Sequence, residues 1–315
     1  GPCPTSQYDP LQTPGEAVPW GLRNSAVPSE ATLDQVRRAI MGHPGQTQTC
    51  SRESTVSSRL SQPLRAALMS LVLVSLLVAS GAEFLAARTQ APIYPGPGVT
   101  STLKLSHYFP DLEGSAGDTD VYMFDSGNPG GTVLVMGGTH PDEPAGYIGA
   151  VLLVEQAGVA KGRMIVIPQA NHSGFTHTYP LEAHPSVFSI QTADGERWFR
   201  FGARGTNPVH QWPDPDIYTH WPSGQRLSGD ETRNLNRSYP GRPDGVLTER
   251  VAYAIKSLII AENVDITIDL HEAPLENAFI NAVAAHERAM DVAVISTLNL
   301  AMQGINMVVE ASPQG

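Results

Sequence analysis

Hydrophobic positions change their rhythm three times along the chain. Over residues 1–63 they are sparse among Pro, Ser, Thr, Gln and Gly, and only SEATLDQVRRAIMG (residues 29–42) has helical spacing. Such a segment buries too little apolar surface to offset the entropy of ordering, so it reads as a disordered N-terminal extension. An uncharged apolar block follows from Ala66 to Ala82, preceded by Arg59 and Arg65 and trailed by SGA before Glu83. From about residue 103 short apolar runs alternate with helical spacing. TVLVMGG, RMIVIPQAN, VDITIDLHEA and INMVVEASPQ read as strands. EPAGYIGAVLLVEQAG, LTERVAYAIKSLIIAEN and AAHERAMDVAVISTLNLAMQG read as helices. Strands without polar alternation, separated by helices, imply a sheet covered on both faces. The expected fold is α/β, with a mainly parallel or mixed sheet, over residues 103–315.

The apolar block has the order of a secretory signal: a basic stretch, an apolar core, then small residues. Its core is slightly short of the ~20 residues of a comfortable membrane span. Residues 64–88 are therefore read as a signal peptide or signal anchor, with a buried core helix as the alternative. The Pro/Gly-rich TQAPIYPGPG makes residues 89–102 a linker. The domain that follows is expected outside the cytoplasm, exported or tethered through residues 66–82. Between Asn171 and Asn236 runs a long irregular segment with three of the four tryptophans and half of the ten histidines. A loop of that length is either a lid or substrate wall, or a small subdomain whose aromatics pack together.

Composition narrows the partners. Lys+Arg is 20 against Asp+Glu 31, a formal charge of −11, which argues against a nucleic-acid partner. The two cysteines, Cys3 and Cys50, lie upstream of the folded part, so any metal here must be held by His and carboxylates. The chain does not open on Met and stops just after an apolar run, so both ends are read as candidate truncations.

In an open α/β sheet, ligands bind outside the carboxyl ends of the strands. Three predicted strands deliver polar side chains there: His140 with Glu143, Asp269 with His271, and Glu310. Two His and one Glu with an open fourth position are a ligand set for catalytic zinc, one ion per chain. Zinc-bound water is then the nucleophile, and Glu310 the free carboxylate that takes its proton. Strand alternation puts Asp269 on the same face as His271, as an acceptor for the second imidazole N–H or as a plain structural hydrogen bond. Glu272 is expected to face away. Arg237, in the turn of ETRNLNRSYPG, offers a planar fork to a carboxylate; a surface salt bridge is the other reading.

GTHPDE, NLNRSYPG, DLHEA and VVEASPQG, in that order, resemble the succinylglutamate desuccinylase/aspartoacylase family within the zinc carboxypeptidase clan. The resemblance covers roughly residues 130–315. It implies a zinc-carboxypeptidase-like fold, His140, Glu143 and His271 as zinc ligands, Glu310 as general base, and Asn236 and Arg237 as the pair that binds the substrate's carboxylate or neighbouring carbonyl. Pro141 replaces the glycine the family often has after its His, and Ala311-Ser312 replaces a small pair. The segment before Asn236 is long, and the sequence stops at Gly315, ahead of the place where the family usually has a second, β domain. The resulting expectation is a zinc-dependent hydrolase that cleaves an amide, with an ester as the secondary choice, and so deacylates an N-acyl amino acid, a small carboxylate-bearing substrate. A metallocarboxypeptidase and a non-catalytic, membrane-tethered zinc-binding protein are the alternatives.

Overall fold

The computed structural model describes residues 61–86, 89–179, 186–273 and 281–312; the helix expected at 29–42 lies outside them. The chain divides into two units, Gly1–Gln62 and Pro63–Gly315, and the architecture below is that of the second.

The apolar block forms one helix, α1 (Gln62–Ala86), none of whose residues is buried. In chain order there follow β1 (Ser101–Lys104), β2 (Asp120–Asp125), β3 (Thr132–Met136), α2 (Pro144–Gln156) and β4 (Arg163–Ile167). Two hairpins come next, β5 (Val187–Thr192) with β6 (Gly195–Arg200), and β7 (Ile217–Thr219) with β8 (Arg226–Ser228). The chain continues with α3 (Leu247–Ala261), β9 (Ile266–Asp269), β10 (Ala282–Ala285), α4 (Met290–Ala301) and β11 (Val308–Ala311).

Five strands form one sheet in the order β1-β2-β4-β3-β9. β4, β3 and β9 run parallel, while β1 and β2 add antiparallel at one side, so the sheet is mixed. Period-two alternation sorts its side chains onto two faces. Val121, Leu134, Met136, Ile165 and Ile167 meet Val251, Ile255 and Leu258 of α3 on one face. Tyr122, Phe124, Val135, Met164 and Val166 meet Ala150 and Val154 of α2 on the other. The expectation of a sheet covered on both sides holds, and its cause is visible in these runs: successive apolar residues in β2, β3 and β4 give each face its own core.

Three expectations fail. The helix expected from Ala284 begins only at Met290, because Ala284 and Ala285 belong to β10 and a 3-10 turn follows them. β11 takes its hydrogen bonds from β10 in a separate parallel pair, so the strand carrying Glu310 is not hydrogen-bonded to the five-stranded sheet. The stretch read as a linker is also not a free spacer. The Tyr94 N–H donates to Glu155 Oε1 at 3.0 Å, and Glu155 is paired with Arg197. Ala91 is buried, Ile93 packs into two apolar clusters, and the Gly96 N–H reaches the Val154 carbonyl. Proline and glycine there give a chain that lies flat along α2, not one that swings free.

Candidate metal centre

β3 and β9 are parallel neighbours with Met136 opposite Asp269, so the loops after them emerge side by side. After β3 the chain turns at Gly138, whose φ of +65° and contact with the Phe175 ring leave no room for a Cβ. The loop then presents Thr139 and His140, and Glu143 stands just before Pro144, the first residue of α2. Gly146, in the first turn of α2, lies so close to the Leu270 carbonyl that a Cβ would come within 2.3 Å of its oxygen. That approach sets the helix start against the loop bearing His271.

The ligand atoms of His140, Glu143 and His271 all lie within 4.8 Å of one another. Glu143 Oε1 is 2.8 Å from His140 Nδ1, and its Oε2 is 2.8 Å from His271 Nδ1. The other ring nitrogens face acceptors: His140 Nε2 is 3.0 Å from Asn234 Oδ1, and His271 Nε2 is 3.1 Å from Asp269 Oδ2. Asn234 can present only its oxygen, because its Nδ2 donates to Glu231 Oε2 at 2.7 Å. Asp269 accepts in addition from Thr139 Oγ1, at 2.9 and 3.0 Å. An acceptor at each Nε2 lets each imidazole give its Nε2–H outward and keep Nδ1 toward the carboxylate. With a proton on Nδ1 those inner contacts are hydrogen bonds to Glu143. Without it, two lone pairs and a carboxylate face one another and a cation can take the protons' place, so the donor set fits a divalent metal. Two nitrogens and one carboxylate, without thiolate, suit zinc.

The electrostatics agree. Burial tends to raise the Glu143 carboxyl, but hydrogen bonds from His140, His271 and the Glu272 N–H hold it well below the usual carboxylate range. Burial tends to lower the His271 imidazole, yet Asp269 and Glu143 push it up to about 10. Burial also raises Asp142. The cradle favours positive charge. His140 is fully enclosed, whereas the His271 side chain keeps 32% of its surface, which leaves the site open on that side.

The other residues fall only partly as expected; Arg237 does lie in a turn. Glu310 is not among the gathered groups; it sits half-buried on β11. Asn236 and Arg237 are exposed on the turn Leu235–Arg237, with Arg237 Nη1 donating to the Asn236 carbonyl at 3.2 Å. Glu272, expected to face away, gives its N–H to Glu143, and its carboxylate accepts the Ala145 N–H at the start of α2. Arg204 was not anticipated: its Nη1 lies 2.9 Å from Glu143 Oε1 at the rim. It comes from the irregular segment, where spacing carries no signal. The sequence signal for Asn234 is slight: NLNR offers one more amide two residues before Asn236.

Residues 222–315 match the succinylglutamate desuccinylase/aspartoacylase catalytic domain, a span that includes His271, Asn236, Arg237 and Glu310 but begins after His140 and Glu143. Over 64 residues the chain is 36% identical to N-alpha-acetyl-L-2,4-diaminobutyric acid deacetylase of Halomonas elongata, covering 20% of this chain and 18% of that protein. It is similar to a succinylglutamate desuccinylase/aspartoacylase structure from Rhodobacter sphaeroides, at 21% identity and TM-score 0.35, over 58% of this chain and 42% of the other. A metallo-carboxypeptidase from Burkholderia cenocepacia gives 16% identity and TM-score 0.39, over 72% and 51%. The chain thus spans under a fifth of the curated relative and about half or less of these solved ones.

Proposed function

We propose, from the premise that residues 222–315 belong to the succinylglutamate desuccinylase/aspartoacylase catalytic-domain family, that this chain is a zinc-dependent hydrolase that deacylates an N-acyl amino acid. The observation that carries the reading is the His140–Glu143–His271 cluster, with an acceptor facing each outer imidazole nitrogen. These three residues would hold the ion. When bound, zinc polarises a carbonyl and lowers the pKa of water towards ~7.

The chain's own residues supply the rest. The Arg204 guanidinium, at the rim beside Glu143, is placed to stabilise negative charge developing on the substrate oxygen. Arg237, exposed and with a planar fork, grips the substrate carboxylate, and Asn236 orients the neighbouring carbonyl. Glu310 is assigned as the general base, which requires β11 to come to the edge of the site during turnover. The exposed apolar helix α1 tethers the domain to a membrane, with catalysis outside the cytoplasm.

Zinc content and turnover of two variants test this together. His271→Ala should lose zinc on dialysis against a chelator. Glu310→Gln should keep zinc and lose at least ~10²-fold in activity. Full zinc in His271→Ala would end the ligand assignment, and unchanged activity in Glu310→Gln would move the base elsewhere. A panel of N-acyl amino acids against C-terminal peptides separates deacylase from carboxypeptidase.

A further inference from the structure

We propose that Asn234 is a positioning residue that couples the metal centre to the turn presenting Asn236 and Arg237, with Glu231 fixing the direction of its amide. The inference rests on the zinc reading above and adds a linkage to it. Asn234 is 4% exposed, and every polar atom of its side chain is engaged. Nδ2 donates to Glu231 Oε2 at 2.7 Å, while Oδ1 accepts from His140 Nε2 and from the Asn236 N–H, each at 3.0 Å. Its backbone carbonyl accepts the Arg237 N–H at 3.0 Å and Ser238 Oγ at 2.9 Å.

A side-chain amide can sit either way round, and only its partners decide which. The Glu231 carboxylate accepts and cannot donate, so it takes the NH₂ and leaves the oxygen for the histidine. Turned over, the amide would set a donor against His140 Nε2–H and favour the tautomer that carries its proton on Nδ1. A residue that only capped the turn would need Oδ1 toward the Asn236 N–H and nothing more. The contacts with His140 and Glu231 exceed that role. One side chain therefore keeps Nδ1 of a proposed ligand free and also holds the loop that carries the proposed carboxylate grip. Metal binding on one side should then stiffen the turn on the other.

The test measures zinc affinity of the full chain in detergent by chelator competition, together with hydrogen exchange of residues 234–238 with and without zinc. Outer partners of ligating histidines are typically worth about 10-fold or more in metal affinity. Asn234→Ala should therefore weaken zinc by at least ~10-fold, and zinc should slow exchange of the turn in the parent chain but not in this variant. Because the variant leaves buried groups unpaired and can misfold, a swap guards the result. In Glu231→Gln with Asn234→Asp, the new amide donates to the new carboxylate, which still accepts from His140. That pair should bind zinc more tightly than Asn234→Asp alone, where two carboxylates meet. Parent-like zinc affinity in Asn234→Ala, a turn indifferent to zinc in the parent, or a swap no better than the single change would each overturn the proposal. If the parent chain itself took up no zinc, the metal reading would fall and this inference with it.

Discussion

Arg204 contributes to the site through charge placed at one point. Its side chain is 45% exposed, so its ion pair with Glu143 is worth little to stability. Replacing it with Gln should leave the melting temperature almost unchanged. An arginine beside the reacting carbonyl acts on developing charge, and removing one such donor costs about 10²–10³-fold in kcat. Arg204→Gln should therefore lower kcat by that order with little change in KM; an unaltered kcat would make Arg204 a mere partner of Glu143. The contrast with His140 and Glu143 shows what a sequence can display at this scale. Those two lie three apart at a strand end, where local geometry alone brings them together. Asn234 reaches His140 across 94 positions, and Arg204 reaches Glu143 across 61. Such contacts are made by the packing of a long irregular segment, whose side-chain directions no periodicity encodes.

That segment is also where elements depart most from expectation. Residues 187–228 hold two antiparallel hairpins, and aromatic packing there is real: Phe188 and Phe199 stack at 5.9 Å, and Phe199 joins Tyr147 and Phe175 in an apolar cluster. Yet Trp212 and Trp221 are exposed, so packing accounts for only part of it. Arg233 anchors the segment through Asp214 at 2.9 Å and sits near His177. Burial pushes the His177 imidazole down to about 4, with the Arg233 and His210 charges adding to the effect. His172 is lowered too, again by burial. The sign follows directly. Unfolded histidine takes a proton near ~6.5, whereas these two stay neutral in the folded chain until lower pH. Their stabilisation is therefore full above ~6.5 and is lost as pH falls toward about 4. Carboxylates with depressed values lose theirs only at lower pH, and His271, raised to about 10, opposes the slope only near the top of the window, where the unfolded imidazole is still taking up its proton. Thermal melts should fall between ~6.5 and ~5. His177→Phe, which keeps a ring facing Tyr179, should flatten that slope. An identical slope in the variant would place the acid sensitivity elsewhere.

For the whole molecule, β3, β4, β9 and both helices flanking their sheet were legible because short apolar runs between helical stretches announce a two-faced sheet, whereas β10 was not, its alanines reading as the start of a helix. β1 and β2 were not, being an antiparallel pair with no α-helix between its strands or directly after it, and the docking of Thr89–Val99 was masked by its proline and glycine. That docking has a consequence for α1. The helix is uncharged from Ala66 to Ala82 and none of its residues is buried, an exposed apolar surface of the kind that marks contact with a membrane or another protein. The full chain should accordingly partition with membranes or detergent. A chain starting at Thr89 should stay in water, folded and able to take up zinc, since no buried residue belongs to α1. A chain starting at Thr100 should be weaker. It loses the burial of Ala91 and the packing of Ile93, and it removes the Tyr94 N–H from Glu155. It also strips Arg200 Nη1 of the Thr89 carbonyl it meets at 3.3 Å. One buried aliphatic side chain is worth roughly 1.5–3 kcal/mol, so chemical denaturation should show a loss of at least ~2 kcal/mol between the two chains. Equal stabilities would mean that the strap merely lies on the surface. Aggregation of the Thr89 chain would mean instead that α1 completes the core, and the tether reading would have to be abandoned.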